Sequence, residues 1–370
     1  MTIDTSKWNK VSFGDVAQCL TIATKDPLSE SLDRYVGLEH IEPGNIHIKS
    51  WGNVEDGTTF TRVFRKGQVL FGKRRAYQKK AALAEFDGIC SGDILVCEAI
   101  KGAVIPEVLP FIVQSDRFFE HAIKTSAGSL SPRTKFKDLA KFTFKLPSKP
   151  DDQKRIADLL WSIDETERKY FQLKTCVNQV FWSCFENQLI GQRKIKLGEL
   201  LVPKKNQSAS PHQREKYLGM EHIDSGAMVS TRYGKSDVAK ANTFIFDKGD
   251  LLYGKLRPYL DKCVIADFDG VCSTEILVYN IKNGYSKELI LFHMHSPSFL
   301  NYVTNRGYGT KMPRVSHEIV SDFSVSMPLE KKQSKILNRF SKLRTSMRQL
   351  EDSIALCRTM KTQIINQTFG

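Results

Sequence analysis

Two stretches of this sequence carry residue types from which phosphate chemistry is built. Gly67-Gln68-Val69-Leu70-Phe71-Gly72-Lys73 and Gly249-Asp250-Leu251-Leu252-Tyr253-Gly254-Lys255 both fit the spacing Gly-x4-Gly-Lys. A phosphate-cradling loop needs Ser or Thr next, for magnesium, and a helix directly after it. Here Arg74 and Leu256 follow, the spacer has the composition of a strand, and Pro258 opposes a helix start in the second stretch. Nucleotide hydrolysis is therefore rejected.

The same stretches read better as a strand running into a basic loop. Lys73, Arg74, Arg75, Tyr77, Lys79 and Lys80 cluster in the first, and Lys255, Arg257, Tyr259 and Lys262 in the second. Arg and Lys hold phosphates or pair bidentately with guanine, and Tyr stacks or bonds to phosphate, so these residues suit DNA contact. A solvated hairpin tip, or Arg257 paired with Asp261, is the alternative. A second loop pair is 128–135, with Ser129, Arg133 and Lys135, and 307–314, with Thr310, Lys311 and Arg314. Both loops are polar and basic, and each precedes the last strand of its domain, where a rigid scaffold tolerates variation. A plain turn with a capping proline is the alternative there.

Glu39-His40 and Glu221-His222 could suggest acid-base or metal chemistry. Neither has a partner His or Cys at metal-ligand spacing, so a structural turn is the better reading and no metal is expected. The sequence also lacks an Asn/Asp-Pro-Pro-aromatic motif, a glycine-rich cofactor loop and Gly-x-Ser-x-Gly. The chain reads as catalytically empty.

The elements that must position these loops follow from an internal repeat. The blocks at residues 36–41, 66–77, 86–91 and 94–96 recur at 218–223, 248–259, 268–273 and 276–278, all at an offset of 182, which slips to 181 at Pro132-Arg133 and Pro313-Arg314. Several blocks in one register mark a duplicated domain. β-rich runs such as Val69-Leu70-Phe71, Ile94-Leu95-Val96-Cys97 and their counterparts lie between Gly and Asp turns, while Pro106 to Thr125 and Ser286 to Thr304 look helical. Each copy is therefore expected to be an α+β domain around a small mixed sheet.

A long helix follows each copy. From Asp151 to Ile190, after Pro150 and before Gly191, apolar residues recur every three or four positions: Ile156, Leu160, Ile163, Tyr170, Leu173, Val177, Phe181, Cys184. The second stripe is Ile336, Phe340, Leu343, Met347, Leu350, Ile354, Cys357 and Ile364, a heptad-like seam. Each rod would be ~60 Å long. Residues 331–370 carry a net charge of +7 and residues 151–190 a net charge of −2, which favours pairing of the two with each other. The expected fold is two repeated α+β domains joined by two long antiparallel helices in a pseudo-twofold coiled coil. The segments would be 1–150, 151–191, 192–329 and 330–370. Two separate helices, each packed on its own domain, are the alternative.

Composition agrees. The net charge is +14, and outside the two helical segments +9 remains, a surplus that suits a polyanionic partner. No apolar run approaches a membrane span, and the opening MTIDTSKWNK lacks a signal-peptide core, so a soluble cytoplasmic protein is expected. The eight cysteines include no Cys-x-x-Cys pair and read as reduced core residues.

Together these features resemble the specificity subunit of type I restriction-modification systems, over nearly the whole chain. The strand exits Lys145-Leu146-Pro147 and Ser326-Met327-Pro328, the Gln-x-x-Ile helix openings at Gln153 and Gln333, and the block Gly249 to Tyr259 carry the resemblance. The first copy departs from that block at Gln68 and Ala76. The resemblance implies a non-catalytic DNA-reading scaffold in which each target-recognition domain reads one half of a bipartite, asymmetric site in double-stranded DNA. The helix pair would set the spacer and dock two modification subunits, and restriction subunits would join them. Cofactors would sit on the partners: S-adenosylmethionine on the modification subunits, ATP and Mg on the restriction subunits. A stand-alone DNA-binding regulator or architectural protein, and a degenerate methyltransferase or nuclease, are the competing readings.

Overall fold

The computed structural model describes residues 5–370 other than Pro211, Gln213 and Lys240. The first four residues of the stretch read for a signal peptide thus lie outside the described residues. The chain divides into two compact units, Met1–Gln172 with Leu350–Gly370, and Leu173–Gln349. Each unit holds one copy of the repeat, part of the first long helix and part of the second.

In the first unit the strand Val69–Gly72 lies between Ile94–Ala99 and Ala81–Leu83, antiparallel to both. Its run is apolar without alternation because both faces are covered. Val69 and Phe71 join a core with Phe13, Phe111 and Phe118, while Leu70 joins a second core with Val36, Phe64 and Val96. A second sheet pairs Arg34–Val36 in parallel with Gly88–Cys90, which makes the pairing mixed. The second unit repeats this design, with Leu251–Gly254 between Ile276–Ile281 and Cys263–Ala266. Leu70 faces Val96 and Ala82, and Leu252 faces Val278 and Val264, so the offset seen in sequence is also the strand register.

The two stretches expected to be helical each break in two. Ser115 and Ser296 take extended backbone and cap the next helix, their side chains accepting from the Phe118 and Phe299 amides. A serine before Asp116 or Pro297 is a helix-start signal, and the helix before it has stopped at Gln114 or Met294. Cys90, Cys97, Cys263 and Cys272 are buried, but Cys176 and Cys184 are exposed, so the core expectation fails for those two. Among the described residues no helix is long and apolar enough to cross a membrane.

The long helices span Pro150–Gln188 and Glu330–Phe369. Gly191, at φ 76°, supplies the left-handed stop after the first. The shared Gln-x-x-Ile opening has a structural reason. Buried Gln153 accepts from the Ile105 amide at 3.0 Å and donates to the Pro147 carbonyl at 2.9 Å. Gln333 does the same with the Ser286 amide at 2.8 Å and the Pro328 carbonyl at 3.0 Å. One side chain thus fixes each helix start to its domain.

Within each unit the helix segments run antiparallel. In the first, Lys361 reaches Asp164 and Arg358 reaches Glu167, while Leu160, Ala157, Ile364, Ile365 and Phe369 share the domain core. In the second, Arg339 donates to Gln188, and Phe181 and Phe185 meet Phe340 edge-on with Ile336 in the same cluster. Ile354 is buried, and Ile156, Ile163, Tyr170, Val177 and Leu350 are half-buried. Leu343 departs from the expected seam: it is 41% exposed, and Arg344 turns inward in its place to donate to the Gly226 carbonyl. Leu173, 49% exposed, and Cys184 also lie off the buried face.

The helices hold the two domains by different chemistry. Gln153 corresponds to Gln333, so Asp164 corresponds to Arg344. In the first unit buried Asp164 accepts from His47 Nε2 at 2.6 Å and from Lys361 at 2.7 Å, and His47 Nδ1 meets Glu85 at 2.9 Å. The Asp164 hydrogen bond raises the His47 pKa above its usual value, against burial. Burial alone would raise the Asp164 carboxyl, but the hydrogen bonds from His47 and Lys361 prevail and lower it. In the second unit Arg344 lies over the Phe292 ring at 5.6 Å and bonds a carbonyl instead. The ionic network borders a cavity of about 660 Å³ lined by both charge signs, including Glu42, Lys49, Arg168 and Arg358, which selects no single ligand charge.

Candidate nucleic-acid interface

In each unit the structure brings the two sequence-identified loops together. The central strand leaves the sheet at Gly72 or Gly254, where a Cβ would lie 3.2 Å from the Lys80 carbonyl oxygen or 2.6 Å from Met220 Cε, so a side chain there would push on the Leu38 or Met220 side chain. The next residue is held from both sides. The Lys73 amide donates to the Asp93 carbonyl at 2.9 Å while its own carbonyl accepts from Thr134 at 3.0 Å, and Lys255 does so with Glu275 and Val315 at 2.9 and 3.0 Å. Arg74 then bridges Arg133, and Leu256 bridges Arg314.

Arg75 and Arg257 follow in the left-handed region, at φ 54° and 52°, and each donates its amide at 2.7 Å to the second loop, to the Pro132 or Pro313 carbonyl. A 3-10 turn comes next, Ala76–Gln78 or Pro258–Leu260, and leaves Tyr77 and Tyr259 54% and 52% exposed. The second loop is closed by a bridge of Ala127 with Arg133, or Tyr308 with Arg314, around a left-handed Gly128 or Gly309. Ser129, Lys135, Thr310 and Lys311 are exposed along it.

The charges divide into two groups. Arg133 grips Asp93, Nε to Oδ1 at 2.8 Å, and Arg74 meets the same carboxylate at 3.4 Å. The Arg133 hydrogen bond, against burial, lowers the Asp93 pKa. Arg314 grips Glu275 through Nε at 3.0 Å and Nη2 at 3.2 Å. In contrast, among the described residues no carboxylate lies within 4.0 Å of the Lys73, Arg75, Lys135, Lys255, Arg257 or Lys311 side-chain nitrogens. Asp261, the acid considered for Arg257, is engaged by His295 at 2.7 Å instead. Burial, with Arg62 nearby, lowers the Lys73 pKa. Lys79 turns away to Asp116 at 2.6 Å, and Lys80 and Lys262 donate to the Leu38 and Met220 carbonyls, so these three support the fold of the loop.

Asp93 and Glu275 were not picked out from sequence. Their signal was there: they sit at the repeat offset, one residue before Ile94 and Ile276, inside a stretch where the flanking blocks match. The Glu-His pairs are structural, since the Gly37 and Gly219 amides donate to His40 and His222 Nδ1 at 2.9 Å. What results, twice, is a rigid ledge of backbone with free cations and an exposed tyrosine, suited to a phosphate backbone.

Comparison with known proteins agrees. The type I restriction modification DNA specificity domain matches this chain at residues 5–175 and again at 192–355. The EcoDI specificity subunit of Escherichia coli, described as part of a type I restriction enzyme, is 26% identical over 159 residues, 41% of this chain and about a third (35%) of that protein's length. The type I restriction-modification S subunit of M. genitalium has a TM-score of 0.57 at 13% identity, covering 100% of this chain and 98% of that one. A chain from a study of assembly and conformational transition in the type I R-M system gives 0.57 at 17% identity, covering 98% and 97%. These two likenesses speak for the fold. With the specificity-domain model matching both copies of the repeat, this chain belongs to the type I restriction-modification DNA specificity family.

Proposed function

We propose that this chain is the DNA-reading subunit of a type I restriction-modification complex and transfers no methyl group itself. The observation that carries the reading is the ledge of two fastened loops with free cations, built at equivalent places in both copies of the repeat. Lys73, Arg75 and Tyr77 in one unit, and Lys255, Arg257 and Tyr259 in the other, take the phosphates. Exposed positions of the second loops, Ser129 and Lys135, Thr310 and Lys311, lie where base edges are read. Because the two loops differ in sequence, the half-sites differ and the target is asymmetric.

The long helices set the spacing of the half-sites and dock two modification subunits, which carry S-adenosylmethionine; restriction subunits add ATP and Mg. The complex works in the cytoplasm, where chromosomal DNA lies. The test is methylation sequencing of DNA from a host expressing this chain with and without its modification subunit. Adenine methylation at a split, asymmetric motif only when both are present is expected. A palindromic motif, or methylation by this chain alone, would overturn the reading.

A further inference from the structure

We infer that Asp93 and Glu275 are positioning residues of the two reading sites. Each carboxylate fastens the second loop to the strand-exit loop through Arg133 or Arg314, and phosphate contact is left to the cations without an acid. This rests on the DNA-reading function proposed above.

Each acid is fixed at both ends. Its carbonyl holds the amide of Lys73 or Lys255 at 2.9 Å, and its carboxylate holds the arginine that closes the second loop. A guanidinium fork on a carboxylate fixes orientation in a way a single hydrogen bond does not. Half-exposed pairs of this kind add little to stability, so their use here is to hold geometry. An arginine already engaged this way must break its pair to take a phosphate, whereas Arg75 and Arg257 have no pair to break.

The two copies build the clamp differently, which supplies an internal control. Asp93 holds two arginines, Arg74 and Arg133. Glu275, one methylene longer, holds Arg314 alone among the described residues, because Leu256 stands where Arg74 would. Losing Arg133 still leaves Asp93 a partner, but losing Asp93 leaves two cations face to face. In the second copy, loss of either member removes the same single pair.

The test uses the full chain, with its modification subunit, on a duplex carrying the motif found by methylation sequencing, with affinity measured against salt. Removing an acid beside DNA should tighten binding if only charge matters. The clamp predicts the opposite: Asp93→Asn and Glu275→Gln weaken binding by about three- to tenfold. Arg314→Gln should match Glu275→Gln, with the double variant no worse, and Arg133→Gln should cost less than Asp93→Asn. The salt slope stays unchanged in all of these, while D93E and E275D recover part of the loss.

Tighter binding by Asp93→Asn, or a slope lowered by about 0.9 in Arg133→Gln or Arg314→Gln, would overturn the clamp in favour of direct phosphate contact. Hydrogen exchange on the chain without DNA decides independently of the functional reading. The Ala127 and Arg133 amides, which bond each other's carbonyls at 2.9 Å, should exchange faster in Asp93→Asn, and unchanged exchange would overturn the clamp. If wild-type protein binds no duplex while exchange quickens, the clamp stands and the DNA reading falls. Should Asp93→Asn not fold, Glu275→Gln carries the same test in the second unit, read at the Tyr308 and Arg314 amides.

Discussion

Arg75 and Arg257 hold a backbone shape that a side chain resists. A non-glycine residue in the left-handed region costs roughly 1–2 kcal/mol, and the cost recurs at equivalent positions of both copies. The strain turns each amide onto the Pro132 or Pro313 carbonyl and sets the arginine at the rim of the ledge. Glycine takes the same conformation freely, so Arg75→Gly separates backbone from charge. Its melting temperature should hold or rise, while DNA affinity falls and the log-log salt slope drops by about 0.9. A slope equal to that of wild type would remove Arg75 from the phosphate contacts. Arg75→Val keeps the strain and adds a branched side chain, so it should melt lower than Arg75→Gly. These conformations were not legible from sequence, because arginine carries no left-handed preference and only the fold imposes one.

At the scale of elements, a helix is only as well placed as its attachment. Gln153→Leu would strand the Ile105 amide and the Pro147 carbonyl, and at about 1–3 kcal/mol for each orphaned group the first unit should unfold at visibly lower urea. The His47 attachment should respond to pH. With its pKa raised in the fold, its stabilisation is complete below the usual histidine value near 6.5 and is lost as pH climbs through the raised value. Asp164, lowered, works in the other direction, losing its contribution as acid titrates it. The gap in melting temperature between wild type and His47→Gln should therefore narrow from neutral toward alkaline pH. A gap that widens would show that His47 is held neutral. Arg344 gives the second unit no such titration. This network was invisible in sequence: Asp164 sat inside an apolar periodicity as an ordinary polar interruption, and His47 lies in a lone β-bridge to Leu83, 117 residues away. The serine breaks at Ser115 and Ser296 were missed for a different reason, since apolar spacing ran on through them.

At the scale of the molecule, duplication was the legible part. A repeat whose offset slips only from 182 to 181 at the second loops and 180 at the helix openings gave both domains, the paired loops and the helix starts, because a repeated unit must bury the same faces in the same register. Periodicity placed both long helices but misjudged their inner face at Leu343, Leu173 and Cys184, because neither half-buried cations such as Arg344 nor the mixed seam follow an apolar stripe. If the helices set the spacer, adding one heptad to each should lengthen it by about three base pairs and leave both half-sites intact. Methylation sequencing would show this, and altered half-sites would mean the helices do not act as a spacer. Phe369 is fully buried against the core that holds Phe144, and Asn366 bonds Asp116, so residues 350–370 finish the unit that opens with residue 5. At ~5–20 residues per second, a ribosome emits that unit's first domain on the order of ten seconds or more before its last wall arrives. Throughout that interval the nascent domain shows an open apolar groove, and chaperone traffic during translation should concentrate there.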